Sequence, residues 1–384
     1  MAEKIKILKA SPFYLKYLEK FYNSDKTLKD ADYGDQYNVL MSGGFGWADS
    51  WKLHLEKTGF YEVFEVISNA EYLQKKWAQE NNINYSEQKW LLDILEAQIR
   101  KFKPDIFFAH DFVGINGDFR QFIKNKYPDI KLIIGWDGIA KNSAQDFVGC
   151  DLMMSCSEDV VSYYQKTGFQ TYFLPFGFES SYLNKIQLRN NLYDISFVGS
   201  LVIKKNKHNK RLNFLSEMDK RFNIDLWLSA LPQNPYFSRT YLDLLISSRF
   251  GDLYSLMKLS NKNKGEIFGL DMLQVFSNSK ISLNTHVDAS NKKAGNVRLF
   301  ESTGVGSCLV TDWKSNLSDF FELDREVVVY KSLPEAIDKI KFLLNNDLER
   351  EKIAQAGKQR TMNDHLMSKR LNDFSDFIIS KYFY

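Results

Sequence analysis

The chain is poor in the residues that build covalent or metal-based sites. Only three cysteines, Cys150, Cys156 and Cys308, occur in 384 residues. An odd number in a chain of this size excludes a disulfide framework and points to a reduced, cytoplasmic protein. His, Cys and carboxylate residues do not recur at metal-ligand spacing, so no metal site is expected. No run reaches the roughly 18 apolar residues of a membrane-crossing helix. The N-terminal MAEKIKILKASPF lacks the apolar segment of a secretory signal. Charge of one sign is also scarce: the net charge is +3, which does not demand a nucleic acid but leaves room for an anionic ligand. Internal repeats and low-complexity tracts are missing.

What is present is ordinary for a globular protein, with 44% hydrophobic and 26% charged residues. Disorder is excluded as the main state. Thirty Phe and twenty Tyr promise aromatic-rich cores, and the length suggests two domains. Short apolar runs recur at 37–41, 62–68, 104–110, 131–136, 151–156 and 171–176. A second series lies at 194–200, 225–230, 280–286, 307–312 and 326–331. Most are continuous rather than alternating, as in strands buried on both faces of a parallel sheet. Helical patterns lie between them. SEQKWLLDILEAQIRKF starts at Ser86 as N-cap and sets Leu91, Ile94, Leu95 and Ile99 on one stripe. SLPEAIDKIKFLL opens with a Ser332–Glu335 capping box and Pro334 in the first turn. Alternating strand and helix imply right-handed βαβ units in doubly wound sheets. The expected fold class is therefore α/β, with two Rossmann-like domains and a ligand cleft at the strand C-termini. The expected boundaries are 1–185, 186–365 and a C-terminal helix at 366–384.

Several strand ends carry chemistry-bearing residues. SGGFGWADS (42–50) follows the expected strand at 37–41, but position 49 is Asp, so the dinucleotide fingerprint fails. It also lacks the Gly-Lys-Ser/Thr of a phosphate-binding loop. A tight turn at Gly43 and Gly44 remains, opening a helix whose backbone N–H groups favour anionic or hydroxyl-rich ligands. PDIFFAHD ends on His110 and Asp111, a donor to a sugar hydroxyl and a candidate general base. Asp137 in GWDG makes a weaker offer of the same kind. SFVGS places Gly199 and Ser200 where a phosphate can approach the backbone, with Arg211 and the lysines of the basic loop 203–211 as counter-charge. SLNTH adds Asn284 and His286. The Asp-x-Asp of DAD (30–32) follows charged residues rather than a buried strand and reads as a loop. In NVRLFESTGVGSCLVTD, Arg298 and Glu301 lie three apart and so on one helical face, ahead of a glycine turn and a buried strand.

Taken in order, SFVGS, KISLNTH, NVRLFESTGVGSCLVTD, EVVVYKSLPEAIDKIKFLL and EREKIAQAGKQRTMNDHLMSKR resemble the group 1 glycosyltransferases. The branch resembled is that of spore-maturation-protein-like glycosyltransferases. The resemblance covers about residues 190–375 and extends weakly into the first half. It implies a bacterial GT-B enzyme of cell-surface glycan synthesis, with the acceptor on the N-terminal domain and a nucleotide-sugar donor on the C-terminal one. It implies no essential metal or other cofactor, no nucleic-acid partner, and a last helix that crosses back onto the N-terminal domain. The acceptor would be a saccharide, a lipid-linked glycan or a protein. Glu301 stands where the family's glutamate accepts hydrogen bonds from the donor ribose, and one carboxylate can take both hydroxyls of a vicinal diol. Arg298 matches a basic position near the donor phosphates, with Asn296 beside it. Many retaining members carry a second glutamate eight positions before the first; here that position is Lys293, which leaves retention or inversion open. Two other readings share these residues: a nucleotide-sugar epimerase of the same fold, and a catalytically silent binding module motivated by the basic loop. The C-terminal DHLMSKRLNDFSDFIISKYFY is amphipathic, with Met367, Leu371, Phe374 and Ile378 at helical spacing. It can pack on its own domain, cross to the other, or lie on the inner face of a membrane, although Asp373 and Asp376 dilute the basic face a membrane would prefer.

Overall fold

The computed structural model describes residues 3–138, 142–187, 191–203, 209–231, 238–246, 250–286 and 293–383. Two compact units divide the chain: Met1–Glu179 together with Met367–Tyr384, and Ser180–Leu366. The first contains β1 (Ile5–Ser11), β2 (Tyr61–Ile67), β3 (Ile106–Ala109), β4 (Leu132–Trp136), β5 (Leu152–Ser155) and β6 (Gln170–Phe173). Its helices are α1 (Leu15–Ser24), α2 (Tyr33–Ser42), α3 (Ser50–Lys57), α4 (Glu71–Glu80), α5 (Trp90–Phe102), α6 (Gly117–Lys126) and α7 (Glu158–Lys166). The second unit contains β7 (Tyr193–Ser200), β8 (Ile224–Ser229), β9 (Ser279–Leu283), β10 (Cys308–Asp312) and β11 (Val328–Tyr330). It carries α8 (Lys210–Asp219), α9 (Arg239–Ile246), α10 (Phe250–Lys262), α11 (Gly269–Ser277), α12 (Arg298–Gly304), α13 (Leu333–Asn345) and α14 (Asp347–Asp364). The chain ends in α15 (Met367–Ile378), prolonged by a π-helical turn at Ile379–Phe383.

Both sheets are parallel. The first runs β2-β1-β3-β4-β5-β6 and the second β11-β10-β9-β7-β8. The chain therefore reverses its winding direction between β1 and β3, and again between β7 and β9. In open α/β sheets ligands bind outside the strand C-termini at such points.

Two elements differ from the sequence-based expectation. The run at 37–41 is not a strand but part of α2: Gln36, Leu40 and Met41 are buried on one helical stripe while Val39 stays 44% exposed. The first strand of the chain is instead β1, which lies between β2 and β3 and whose pattern is interrupted by Lys6 and Lys9. Lys9 is nonetheless buried, because its ammonium meets Glu65 of β2 at 2.8 Å. Helix α5 begins at Trp90 rather than after Ser86. The Asp93 carboxylate accepts the Ser86 N–H at 2.9 Å and holds 87–89 as a turn. The α13 capping box forms in part. Ser332 accepts from the Glu335 N–H at 3.4 Å, and Glu335 reaches back to the Lys331 N–H rather than to that of the cap residue. Asp30 and Asp32 lie in the loop that precedes α2.

The first sheet buries its two faces differently. Leu95 and Ile99 of α5, Phe119 and Ile123 of α6 and Val160 and Tyr164 of α7 cover one face. The other carries Ile7, Val63, Phe108, Ile134 and Met154, and is covered by Trp51 and Leu55 of α3 and by Met367, Leu371, Phe374 and Ile378 of α15. The last helix thus returns to the first unit's core. Phe374 packs edge-on against Trp51 at 5.0 Å, and Tyr61 donates to the Ser375 carbonyl at 3.3 Å. The Met367 N–H donates to the Phe178 carbonyl at 2.9 Å where the helix enters. Among the described residues no helix is long and apolar enough to cross a membrane. All three cysteines are buried, and burial pushes the Cys150 and Cys156 thiols up to about 11 and about 12.

Replacing Phe374 by Ala should cost about 3–5 kcal/mol, the range for emptying a buried aromatic site, and lower the thermal unfolding midpoint of the first unit. Removing 367–384 should uncover the same face and give aggregating protein. A truncated chain that stays monomeric with the parent's midpoint would show that the helix is not part of this core.

Candidate active site

At the first unit's reversal point, β1 ends on Ser11 and β3 runs into His110. Paired residues of parallel strands point to one face, and the Lys9–Phe108 and Lys9–Glu65 registers put Lys9, Ser11, Glu65 and His110 on the face beneath α3 and α15. Ser11 Oγ lies 3.0 Å from His110 Nδ1. The imidazole stacks on Trp47 at 5.2 Å and on Phe108 at 5.3 Å, with Trp136 edge-on at 5.5 Å. Its Nε2 makes no hydrogen bond among the described residues. Burial first, and then the ammonium of Lys9, hold the ring well below the usual histidine range, so it is neutral at pH 7.

The other residues singled out in this half serve the backbone. Asp111 accepts from Ser68 Oγ at 2.9 Å and from the Gly114 N–H at 2.8 Å, which closes the turn after β3. Asp137 accepts from the Tyr164 hydroxyl and the Asn142 N–H, each at 2.8 Å, and ties down the loop after β4. The Gly43 and Gly44 N–H groups both donate to the Met41 carbonyl and finish α2, so neither amide is open to a ligand. The turn does open a helix, but it follows α2 rather than a strand. Its contribution to the edge is Trp47, which sequence reading passed over, as it did Ser11, Lys9 and Glu65.

At the second unit's reversal point the organising residue is Arg211. Its guanidinium donates to the Ser200 carbonyl at 2.6 Å, at the end of β7, and to the Thr285 carbonyl just beyond β9. It also lies over the Phe197 ring. Gly199 faces the same guanidinium: a Cβ there would sit 3.9 Å from Arg211 Nη1 and 3.2 Å from the Phe197 ring. Residues 204–208 of the basic loop lie outside the described residues. Beyond β9, Asn284 donates to Thr311 Oγ1 at 2.8 Å and accepts from Asn296 Nδ2 at 2.9 Å. His286 binds Asp312 twice, through its ring Nδ1 at 2.7 Å and its N–H at 2.8 Å, and Lys314 approaches the other Asp312 oxygen at 3.4 Å. Burial alone would raise the Asp312 carboxyl, but the His286 bonds and then Lys314 outweigh it and hold it below the ordinary aspartate range. Asp312 and Lys314 were legible as the end of an apolar run and were not singled out.

Helix α12 starts at this edge. Arg298 and Glu301 form an ion pair across one turn, and Arg298 Nε also donates to the Val198 carbonyl of β7 at 3.3 Å. The helix stops in a Schellman turn. The Gly306 N–H returns to Thr303 and the Ser307 N–H to Ser302, with Gly306 at φ 87°, a conformation glycine adopts without strain. Glu301 is thereby fixed one turn inside a short helix, its side chain 17% exposed. Gly199, Ser200, Arg211, Asn284, His286, Asn296, Arg298 and Glu301 therefore gather on one sheet edge. Among the described residues no three His, Cys, Asp or Glu side chains are grouped to hold a metal ion.

Two parallel sheets wound in this way, one per unit, occur together in known structures. The sucrose-phosphate synthase of Thermosynechococcus elongatus matches with TM-score 0.57 at 11% identity, over 98% of this chain and 99% of that one. Anabaena HepE in complex with UDP-glucose matches with TM-score 0.56 at 11% identity, over 98% and 99%. A Rickettsia africae glycosyltransferase matches with TM-score 0.56 at 11% identity, over 99% of each chain. The fold is GT-B. Residues 214–376 of this GT-B chain also match the family model described as "Glycosyl transferase-like", which covers most of the second unit from within α8 onward and reaches into α15 of the first. No curated protein matches the chain.

Because the Asp312 carboxyl is depressed in the folded state, it contributes stability above its unfolded value of about 4, and loses it as pH falls through the lower folded value. Asp312→Asn should therefore cost about 1–3 kcal/mol at pH 7, with the gap to the parent narrowing as pH falls below about 4. Unfolding curves of both proteins at several pH values check this, and a gap that persists unchanged in acid would contradict it.

Proposed function

We propose that the chain is a group 1 glycosyltransferase, of the spore-maturation-protein-like branch, that moves a sugar from a nucleoside-diphosphate donor to a hydroxyl of a saccharide, lipid-linked glycan or protein acceptor. The observation that carries this reading is the Arg298–Glu301 pair. It joins a diol acceptor to a cation on a short rigid helix, tied to β7 at the second sheet's reversal point. The family model over 214–376 and the GT-B fold support it, and HepE, a structure of the same fold, holds UDP-glucose.

In this reading Glu301 takes the ribose 2′- and 3′-hydroxyls, and the Asn284–Asn296 pair orders the segment that leads into α12. Arg298, with Arg211 behind it, balances the charge that grows on the departing diphosphate as the glycosidic bond breaks. The guanidinium fork suits phosphate oxygens, and Arg211 is already oriented by its two carbonyls, so little freedom is lost on binding. On the acceptor side, the neutral His110 offers Nε2 to a sugar hydroxyl, either as hydrogen-bond partner or as the base that takes its proton. Asp111 positions His110 through the turn it closes, since its own carboxylate is committed. The proposed chemistry uses no resident metal, and the enzyme would work in the cytoplasm, at most peripheral to the membrane.

Glu301→Ala should weaken binding of the preferred nucleoside diphosphate by about 1.5–3 kcal/mol, roughly 10- to 150-fold, with the melting temperature nearly unchanged. Calorimetric titration across a panel of nucleoside diphosphates measures this, and parental affinity in the variant would return Glu301 to a surface ion pair. Donor turnover should also survive excess EDTA. Activity lost to the chelator and restored by manganese would overturn the metal-independent mechanism.

A further inference from the structure

The face of the first sheet beneath α3 and α15 is mostly apolar, and it buries one pair of opposite charges. There Lys9 and Glu65, directly paired in register, are 3% and 1% exposed and joined at 2.8 Å. The second carboxylate oxygen accepts the Lys52 N–H of α3 at 2.9 Å, and the ammonium lies over the Trp47 and Trp51 rings at 6.0 and 5.9 Å. Glu65 has a local task at the start of α3, but desolvating two charges offsets most of their attraction, so the placement of Lys9 beside it is informative. Lys9 is two residues before Ser11, which touches His110 Nδ1, and Lys9 and His110 both pack on Trp47.

We propose that the buried Lys9–Glu65 pair is a positioning device for His110: it fixes an ammonium against the Trp47 ring on which the imidazole stacks, and leaves Nε2 open to a hydroxyl of the sugar or acceptor. Glu65 holds Lys9 in place, and Ser11 and Trp47 hold the ring. The other titratable groups on the surrounding elements are already committed: Asp111 to Ser68 and Gly114, Asp137 to Tyr164 and Asn142, and His54 of α3 to Glu179 at 2.6 Å. Asp49, ahead of α3, acts on Glu65, and Asp373 and Arg370 of α15 act on Tyr172 of β6. Among the described residues, Lys9 is the charge that adds to burial in disfavouring protonation of the His110 ring. The device rests on the proposed transferase reading only for its consequence in turnover.

The test is a titration of the His110 Cε1–H resonance in ¹³C-histidine-labelled protein, assigned with His110→Gln. The parent resonance should stay in its neutral form to well below the ordinary histidine range, and a parent that titrates near pH 6.5 overturns the proposal without any variant. In Lys9→Met/Glu65→Gln, which removes both charges and keeps an acceptor for Lys52, the midpoint should rise by about one pH unit or more. Lys9→Gln/Glu65→Gln, which keeps a hydrogen bond between the two positions, should move it the same way. An unmoved midpoint in either folded variant overturns the proposal and leaves the pair a structural feature. The acidic limb of turnover, followed in the same variants, reports separately on the transferase reading: a limb that follows the resonance places His110 in the chemistry, and one that ignores it removes His110 from the mechanism while the electrostatic device stands.

Discussion

A parallel sheet must be covered on both faces, because its strands carry few polar side chains with which to meet water. The first unit cannot meet that condition from residues 1–179 alone. Helices α5, α6 and α7 close one face, but the opposite face has α3 and then requires Met367, Leu371, Phe374 and Ile378 of the final helix. The chain therefore leaves the first unit after Glu179, builds the second, and comes back. This return makes the first unit's stability depend on the last residues of the sequence, and it encloses Lys9, Glu65 and the base of His110 in a low-dielectric layer.

The same winding supplies both candidate edges. When successive crossovers go to opposite sides, the loops leaving the two strands at the reversal point diverge and leave their C-termini uncovered. In the first unit those strands deliver Ser11 and His110; in the second they deliver Ser200 and Thr285, which Arg211 stitches together. One edge presents a neutral ring in an aromatic setting. The other presents two guanidinium groups, two carboxylates, each engaged by a basic group, and a chain of amides. That difference in chemistry, an uncharged ring on one unit and paired cations and carboxylates on the other, is the physical basis for the acceptor and donor roles proposed above.

Local signals in the sequence were reliable where local physics is sufficient. Continuous apolar runs such as IFFA, LIIGW and CLVTD could bury both faces only inside a parallel sheet. The Ser332 cap and the Arg298–Glu301 spacing depend on neighbours within four residues. The α2 segment misled because YNVLM is apolar enough for a strand, yet only one side of it meets a core. β1 escaped notice for the opposite reason, since Lys6 and Lys9 make it look exposed.

By itself, then, the sequence determined the alternation of strands and helices, the two-sheet α/β class and the amphipathic end of the chain. It also determined the short-range geometry of α12, all of which follow from periodicity and capping over a few residues. Only the tertiary structure decided which strand-end residues keep an open functional atom. Asp111, Asp137 and His110 look alike in sequence, but the first two are satisfied by Ser68, Gly114, Tyr164 and Asn142, while among the described residues nothing bonds His110 Nε2. Only the tertiary structure could bury Lys9, because the carboxylate that makes its burial tolerable is 56 residues away in sequence and reaches it through the register of two adjacent strands.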